Sequence, residues 1–411
     1  MRFYSLFVWV ALCAGPTSVS SVVEGPGLRG FENPGNSCWL NSIVQLLLHS
    51  ELFLLPLTAF EAPLLVYSEN RDEVFGVAIL NELRQIGENY YGSESIHGRT
   101  LGALQEQLAL FNAREFSPGL MADANEGLRV ILGLLPDALR SAHLPPGLLG
   151  EDLFGIKKIF DWCHSPVDNH ASVRNSETLF DLGLSVLEGS SLVDLLANET
   201  KEERADRRCA ECGCEGTGTL SSRFTKLPPI LIVHLKRFNQ LGRKIETSIE
   251  IPVVLNFAQI EGYTHGFYKL VGIVHHSGTA QVGHYYTDFA FDSTWFRAND
   301  AQLAQRPPTL HGPTPYILLY EKVLTMENLI LWEQESRHDM PLNAVELENI
   351  QQDLRRMMRE NWITKGISGE ALWIREHEDY PKIPGYLKEK PIAELRKLAL
   401  FLQQFNADQG K

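Results

Sequence analysis

The stretch GFENPGNSCWLNSIVQLLLHS, residues 30–50, is the one around which the rest of the chain is organised. Turn-forming residues lead into apolar positions spaced three to four residues apart, which predicts a helix with one buried face: Leu40, Ile43, Val44, Leu47 and Leu48. Cys38 lies where the loop becomes the helix, and the unpaired amides and positive dipole end at such a place stabilise a thiolate. Asn33 offers a side-chain donor for an oxyanion. A buried structural cysteine is the alternative, but Asn33 favours a nucleophile.

Composition limits the classes of function. The chain has 411 residues, which corresponds to two or three domain-sized units. Its net charge of −14 argues against nucleic acid as the main partner and mildly favours a basic one, although solubility explains the acidity equally well. The six cysteines, at positions 13, 38, 163, 209, 212 and 214, are too few and too clustered for a disulfide scaffold. Free thiols, with or without a metal site, fit better.

The N-terminal segment 1–24 differs from the rest. Arg2 is followed by about a dozen mostly apolar residues and then by small ones, the pattern of a secretory signal that is too short to span a bilayer. A non-native N-terminal extension explains the same pattern. No other stretch is apolar and long enough for a membrane span, so we expect a soluble body.

Residues 51–150 show mainly helical spacing of apolar residues. One such face covers residues 124–135, and we expect Pro136 to end that helix. Asp123 and Glu126 fall in its first turn, where acidic side chains are favourable, so a structural role is sufficient to explain them.

The part of the chain after the helical region has the sequence pattern of β-strands. Residues 153–162 alternate in polarity, and residues 226–238 form a β-rich run that begins with two prolines. Further strand-like runs continue until about Glu321. Helices followed by strands predict an α+β fold.

This strand-rich half holds candidate partners for the cysteine. His284 follows Gly283 at the start of a strand, and Asn299 and Asp300 come shortly afterwards. A Cys–His pair needs a third group that fixes the imidazole tautomer, and an Asn or Asp side-chain oxygen does this. His275 and His276 are rivals for the base. Neighbours on an extended segment point to opposite sides, so we expect only one of Asn299 and Asp300 to face the imidazole.

Taken together, these motifs resemble those of the ubiquitin-specific proteases, which are papain-like cysteine peptidases. The resemblance covers about residues 28–321 and rests on five motifs in the family's order: GLRGFENPGNSCWLNSIVQLLLHS, ADANEGLRVILGLL, KLPPILIVHLKRFN, YKLVGIVHHSG with GHYY, and WFRAND. It implies the following site residues: Cys38 as nucleophile, His284 as base, Asn299 as third member with Asp300 beside it, and Asn33 as oxyanion donor.

The resemblance implies a hand-like fold of thumb, palm and fingers in a catalytic domain at residues 25–321. Ubiquitin's globular part would rest on the fingers, and its C-terminal Gly-Gly would lie between Cys38 and His284. The implied reaction is thiolate attack on an isopeptide or peptide carbonyl, followed by hydrolysis of a thioester. We expect action in the cytoplasm or nucleus, while the signal-like N-terminus leaves secretion open.

The fingers depart from the family pattern. Members often hold zinc there through two CxxC pairs, whereas this chain has Cys209 and Cys212 but only Cys163 of the other pair. His164 and His170 are the nearby substitutes. A single CxxC is a weak zinc signal, so we expect no metal or other cofactor. A second departure is the helix motif, where Gly127 and Ala122 replace an aromatic and a glutamine; we expect these changes to loosen the helix.

The resemblance ends before the segment 322–411. Helical stripes follow a capping box at Asn343 and Glu346 and a helix start at Pro391. We expect this helical extension to pack within the chain, with binding of a protein partner as the alternative.

Two rival functions remain at the level of sequence. One is a ubiquitin-binding module without turnover, which would need none of Cys38, His284 and Asn299. The other is a protease for a different ubiquitin-like modifier. The predicted function is a thiol-dependent deubiquitinase.

Overall fold

A computed structural model of the protein describes most of the chain between residues 27 and 323. The described ranges are 27–57, 68–91, 101–142, 146–163, 173–186, 191–208, 215–239, 241–257, 260–263, 267–280, 282–291 and 294–323. The signal-like segment 1–24, the cysteines 209, 212 and 214, and the predicted helices beyond residue 323 lie outside these ranges. No helix in the described part is long and apolar enough to cross a bilayer.

Helices make up the N-terminal half of the described chain. In order they are α1 (Cys38–Leu48), α2 (Glu51–Leu57), α3 (Arg71–Tyr91), α4 (Gly102–Phe111), α5 (Ala113–Phe116), α6 (Ala124–Ser141), a 3-10 turn (Pro146–Leu149) and α7 (Glu151–Phe154), with α8 (Leu192–Asn198) following later among the strands.

Strands make up the second half. They are β1 (Ile156–Cys163), β2 (Val173–Leu179), β3 (Leu182–Ser185), β4 (Glu203–Arg208), β5 (Glu215–Lys226), β6 (Ile230–Lys236), β7 (Ile249–Glu250), β8 (Val254–Asn256), β9 (Phe267–Gly278), β10 (Gly283–Phe291), β11 (Thr294–Asn299), β12 (Gln302–Gln305), β13 (His311–Gly312) and β14 (Pro315–Val323).

The strands form a large sheet, a finger-like sheet and a small ribbon. The large sheet runs β12-β11-β10-β9-β14-β6-β3, with β8 also paired to β9, and its pairs are antiparallel apart from the parallel β3–β6 pair. The second sheet runs β2-β1-β5-β4, and β13 pairs with β7. This helical layer on a mixed sheet is the α+β papain-like architecture that the sequence predicts.

Helix α1 is the centre of the core. All eleven of its residues are buried, because the helical layer covers one side of it and strands β9 and β10 cover another. Alternation along β6 explains how the sheet serves two cores: Ile230 and Ile232 face the helices, while Leu231 and Val233 pack on the opposite side.

Two predicted boundaries are wrong. Helix α6 continues through Pro136 to Ser141, since Ala138 and Leu139 extend its buried face and offset the backbone hydrogen bond that proline removes. The predicted strand at 153–162 begins only at Ile156. Residues 151–154 form α7, whose Leu153 and Phe154 are both buried and so do not alternate.

Candidate active site

Cys38 is the first residue of α1 and its side chain is buried. The loop before it is held by the Asn33 side-chain oxygen, which accepts hydrogen bonds from the amide and the hydroxyl of Ser37 at 3.0 and 3.2 Å. Asn36 adopts a left-handed φ of 55° and donates from its amide to the Gly119 carbonyl at 2.8 Å. Ser37 makes no side-chain cap, so the first amides of α1 lack that partner. The sequence therefore placed Cys38 correctly at a helix start.

His284 and Asn299 are brought together by strands β10 and β11. The Nε2 atom of His284 lies 2.5 Å from the Asn299 side-chain oxygen. His284 is also hydrogen-bonded to the Cys38 side chain. Because Nε2 faces Asn299, Nδ1 is the ring nitrogen left for the sulfur. Cys38, His284 and Asn299 therefore form a continuous series of hydrogen-bonded side chains, which is called the line below.

The electrostatics of this line favour a protonated imidazole. The hydrogen bond with Cys38 is the largest cause, and it acts against desolvation, while Asn299 and the nearby charge of Asp300 add to it. The pKa of His284 is raised to about 9. At neutral pH, His284 is therefore an imidazolium beside the cysteine sulfur.

Asp300 lies beside this line and joins it to the cysteine loop. Its carboxylate accepts hydrogen bonds from the side-chain amides of Asn33 at 3.0 Å and Asn41 at 2.9 Å, and it lies 4.0 Å from Nε2 of His284. The expectation that only one of Asn299 and Asp300 would face the histidine is wrong. Asp300 has a left-handed φ of 50°, which ends the alternation of β11 and turns its side chain toward the same region.

The rival histidines are buried in other contacts. His275 is fully buried, with Nε2 at 3.0 Å from an Asp288 carboxylate oxygen and Nδ1 at 3.1 Å from the Thr314 hydroxyl. Burial and the charge of Lys244 lower the pKa of His276 to about 4. In the described part of these strands, His284 is the histidine that is hydrogen-bonded to Cys38.

Two residues near the site were not predicted to take part in it. Asn41 holds Asp300, and the available signal was an amide side chain three residues after Cys38, on the same face of the helix. Asp123 caps α6 through its Oδ1, which accepts the amides of Asn125 and Glu126, and its Oδ2 accepts the Tyr316 hydroxyl at 2.5 Å. The predicted structural role of Asp123 in the first turn of α6 is therefore correct but leaves out its hydrogen bond with Tyr316.

Gly127 shows how the departure from the family's helix motif is accommodated. A Cβ at this position would overlap the Trp39 ring, coming within 2.9 Å of its Cε3 atom. Trp39 is buried and tilted against Phe116 at a ring distance of 5.3 Å. The indole fills the space beside the glycine, and α6 runs unbroken through it.

The question of zinc falls outside the described residues, because neither the cysteine cluster at 209–214 nor the Cys163 side chain is described. Within the part of the chain that the structure does describe, no group of three or more His, Cys, Asp or Glu side chains could hold a metal ion.

Comparisons with known proteins identify a family for the chain. A family model described as ubiquitin carboxyl-terminal hydrolase matches residues 29–320. The human protein named Ubl carboxyl-terminal hydrolase 18 is 27% identical over 329 residues, covering 72% of this chain and 86% of that protein. Ubiquitin carboxyl-terminal hydrolase 8 of Saccharomyces cerevisiae is 24% identical over 343 residues, covering 72% of this chain and 70% of that protein.

Solved structures share the fold. The SAGA Ubp8/Sgf11/Sus1/Sgf73 DUB module bound to ubiquitin aldehyde matches with a TM-score of 0.61 at 22% identity, covering 73% of this chain and 70% of that one. A family match over most of the chain, together with an assembled cysteine–histidine pair, settles the class of protein. The chain belongs to the ubiquitin carboxyl-terminal hydrolase family and is a cysteine-type deubiquitinase.

Proposed function

We propose that the protein hydrolyses isopeptide or peptide bonds at the C-terminal glycine of ubiquitin, with Cys38 as nucleophile and His284 as acid–base. The observation that carries this proposal is the continuous hydrogen-bonded line from the Cys38 side chain through His284 to Asn299 at the start of a buried helix. Nucleophile, base and orienting group within hydrogen-bond reach are the arrangement that thiol catalysis needs.

The reaction follows from the protonation state of this line. The Cys38 thiolate attacks the glycine carbonyl carbon, the C=O electrons move to oxygen, and the imidazolium of His284 gives its proton to the leaving lysine amine. The product is a thioester between Cys38 and the glycine. His284, now neutral, takes one proton from the water that attacks the thioester. The C–S bond breaks, the Cys38 thiolate leaves, and the new carboxyl group of ubiquitin loses its proton to solvent.

We assign the oxyanion donors to the loop before α1. Asn33 donates one side-chain hydrogen to Asp300, and the amide group carries a second hydrogen. The uncapped first amides of α1 are further donors close to the nucleophile. In this assignment Asp300 fixes the Asn33 amide and adds negative charge near the imidazolium, while Asn299 orients the ring.

Ubiquitin is the partner that we propose, because the SAGA DUB module with a similar fold is described as bound to monoubiquitin and the family model names ubiquitin. A ubiquitin-like modifier is the second candidate substrate, because relatives from human and Pongo abelii carry the name Ubl carboxyl-terminal hydrolase 18. We propose the cytoplasm or nucleus as the place of action and, with a net charge of −14, no nucleic acid partner.

The test uses ubiquitin and ubiquitin-like probes that carry a C-terminal electrophile. We expect the wild-type protein to form a covalent adduct with the ubiquitin probe at Cys38, identified by peptide mass spectrometry. Cys38→Ala should lose both adduct formation and hydrolysis but retain ubiquitin binding, since only the sulfur is removed. Cys214→Ala, at a cysteine that does not belong to the motif around Cys38, is the control and should react.

Three outcomes would change the proposal. Hydrolysis by Cys38→Ala near the wild-type rate would remove Cys38 as nucleophile. Adducts with a ubiquitin-like probe alone would replace ubiquitin by that modifier. Ubiquitin binding by the wild-type protein without adduct or turnover would favour the binding-module alternative.

A further inference from the structure

A second polar cluster lies on strands β9, β10 and β11, a short distance along the sheet from His284 and Asn299. Its centre is Asp288, which is fully buried. One carboxylate oxygen of Asp288 accepts from Nε of Arg297 at 2.6 Å, and the other accepts from Nη2 at 2.7 Å. The second oxygen also accepts from the Thr309 amide at 2.9 Å and lies 3.0 Å from Nε2 of His275.

The protonation states in this cluster are consistent with a fixed charge pair. Burial alone would raise the pKa of Asp288, but hydrogen bonds from Arg297 and His275 outweigh it and hold the pKa at about 2. Burial lowers the pKa of His275, which is therefore neutral. Its Nε2–H donates to Asp288, and its Nδ1 accepts from the Thr314 hydroxyl. Each side chain has a defined donor or acceptor role.

The register of the strands places this cluster in line with the catalytic pair. Asp288 lies directly opposite Arg297 in the β10–β11 ladder. Strand side chains alternate, so Asp288 shares a side of β10 with Tyr286 and His284, and Arg297 shares a side of β11 with Asn299. Tyr286 also belongs to this cluster. Its ring lies 4.4 Å below the Arg297 guanidinium carbon and is stacked on His275 at 4.8 Å.

The ladder between β10 and β11 stops short of the catalytic contact. Its last pair toward the site is Thr287 with Ala298, so the hydrogen bond between His284 and Asn299 lies beyond the paired region. The Asp288–Arg297 pair is the next pair inward. A cross-strand ion pair at this place resists sliding or splaying of the strand ends that carry His284 and Asn299.

Stability alone does not require such a pair, because a buried ion pair is commonly no more stable than apolar side chains of similar volume. Asn299 gives a specific reason for precise positioning. Its neutral amide does not attract the imidazolium as strongly as a carboxylate would, so the short contact depends on where the strand places it. Displacements of about 1 Å from a catalytic geometry cost on the order of 10²-fold in rate.

We propose that Arg297 and Asp288 are positioning residues that hold Asn299 in hydrogen-bond contact with His284. This inference rests on the proposed function, since it assumes that His284 is the acid–base group. The pair acts through the β10–β11 register and touches neither the cysteine nor the substrate.

The test compares Arg297→Met and Arg297→Lys with Arg84→Met. Arg84 is a buried arginine of α3 that pairs with the exposed Glu88, so its substitution controls for loss of a buried, ion-paired arginine elsewhere in the same protein. Thr309→Val, which removes only the hydroxyl that accepts from Arg297 at 2.8 Å, is a milder variant in case Arg297→Met does not fold. Ubiquitin hydrolysis gives kcat and KM, and thermal melting gives stability.

A second readout is independent of ubiquitin. The rate of Cys38 alkylation by iodoacetamide, followed by peptide mass spectrometry across pH, reports the cysteine–imidazole pair. Since Asn299 is among the groups that raise the pKa of His284, loosening its contact should move the inflection at which the imidazolium loses its proton to lower pH.

We expect Arg297→Met to lower kcat about 10- to 100-fold with KM nearly unchanged, to shift the alkylation profile, and to be partly rescued in Arg297→Lys. Arg84→Met should lose thermal stability without either kinetic change. The proposal is overturned if folded Arg297→Met or Thr309→Val, like Arg84→Met, melts earlier with an unchanged kcat and pH profile. If the wild-type protein does not turn over ubiquitin, the proposed function fails, while the alkylation profiles still decide the positioning role.

Discussion

At the residue scale, Asn299 and Asp300 divide two tasks between adjacent positions. Asn299 contacts Nε2 of His284 at 2.5 Å, whereas Asp300 lies 4.0 Å away and is held by two amide donors. An amide oxygen orients the imidazole but carries no charge, so Asp300 supplies the nearest negative charge. Its left-handed backbone makes both contacts compatible.

We expect Asn299→Ala to lower kcat by about 10²- to 10⁴-fold, because the ring loses its orienting acceptor. Asn299→Asp should keep substantial activity, since the acceptor remains and charge is gained. Asp300→Ala should lower kcat less than Asn299→Ala. Steady-state hydrolysis of a ubiquitin substrate measures all three, and the reverse order of the two alanine variants would make Asp300 the orienting group.

The same variants should also change the pH dependence of activity. The wild-type basic limb should lie near the raised His284 pKa of about 9, because activity falls as pH rises and the imidazolium loses its proton. Asn299→Ala and Asp300→Ala should both move that limb to lower pH, since each removes a group that raises this pKa. If the basic limb does not move in either variant, the limb reflects the titration of another group.

At the element scale, α6 shows how a glycine in a helix fits against a neighbouring aromatic side chain. Gly127 is buried against Trp39, and a side chain there would overlap the indole. Gly133 lies on the same helix with open space at its Cβ position. The expected loosening of the helix by glycine is therefore offset at position 127 by aromatic packing, which only the three-dimensional contact reveals.

We expect Gly127→Ala to lower the free energy of unfolding by about 1–3 kcal/mol, because overpacking against a buried ring outweighs the gain in helix propensity. Gly133→Ala is the matched control and should raise it by about 0.5–1 kcal/mol. Urea denaturation of the two variants measures both. A stabilised Gly127→Ala variant would mean that Trp39 moves aside without cost.

At the scale of the whole molecule, Glu321 links the large sheet to the helical layer. It is a buried carboxyl on β14 that accepts from the Ser50 hydroxyl at 2.8 Å and from the Leu52 amide at 3.4 Å, where α2 begins. Lys269 lies 3.6 Å away on β9. Desolvation by burial raises the pKa of Glu321 above its ordinary value. Relative to the unfolded chain, folding therefore favours the protonated form of Glu321.

This preference has a defined sign. When the pKa of a group is higher in the folded state than in the unfolded state, the group contributes stability that is fully present below the unfolded-state pKa. This contribution is lost as pH rises through the folded-state pKa. We expect Glu321→Gln, which mimics the protonated form, to melt at or above the wild-type temperature at neutral pH, with the difference vanishing on acidification. Melting curves across pH measure this, with the exposed Glu250→Gln as control. A lower melting temperature at neutral pH would show that the charged form stabilises the junction.

The sequence by itself determined the local features of this protein. Periodicity predicted helix α1 and placed Cys38 at its start, turn and strand patterns predicted the α+β order, and the motif order indicated the family. These features depend on residues a few positions apart, where side-chain spacing and backbone preference act directly. The same reasoning missed the end of α6, since burial of Leu139 is a long-range effect that outweighs the local effect of Pro136.

Only the tertiary structure decided which distant groups meet. The contact between Asn33 and Asp300 joins residues 267 positions apart, and the choice of His284 over His275 depends on which ring reaches Cys38 after β9 and β10 have paired. These contacts depend on strand pairing and on the left-handed backbone of Asp300. With the usual alternation along a strand, the Asp300 side chain would point away from His284. The Arg297 cluster arises in the same way, because sequence spacing does not show which face of a neighbouring strand will lie opposite.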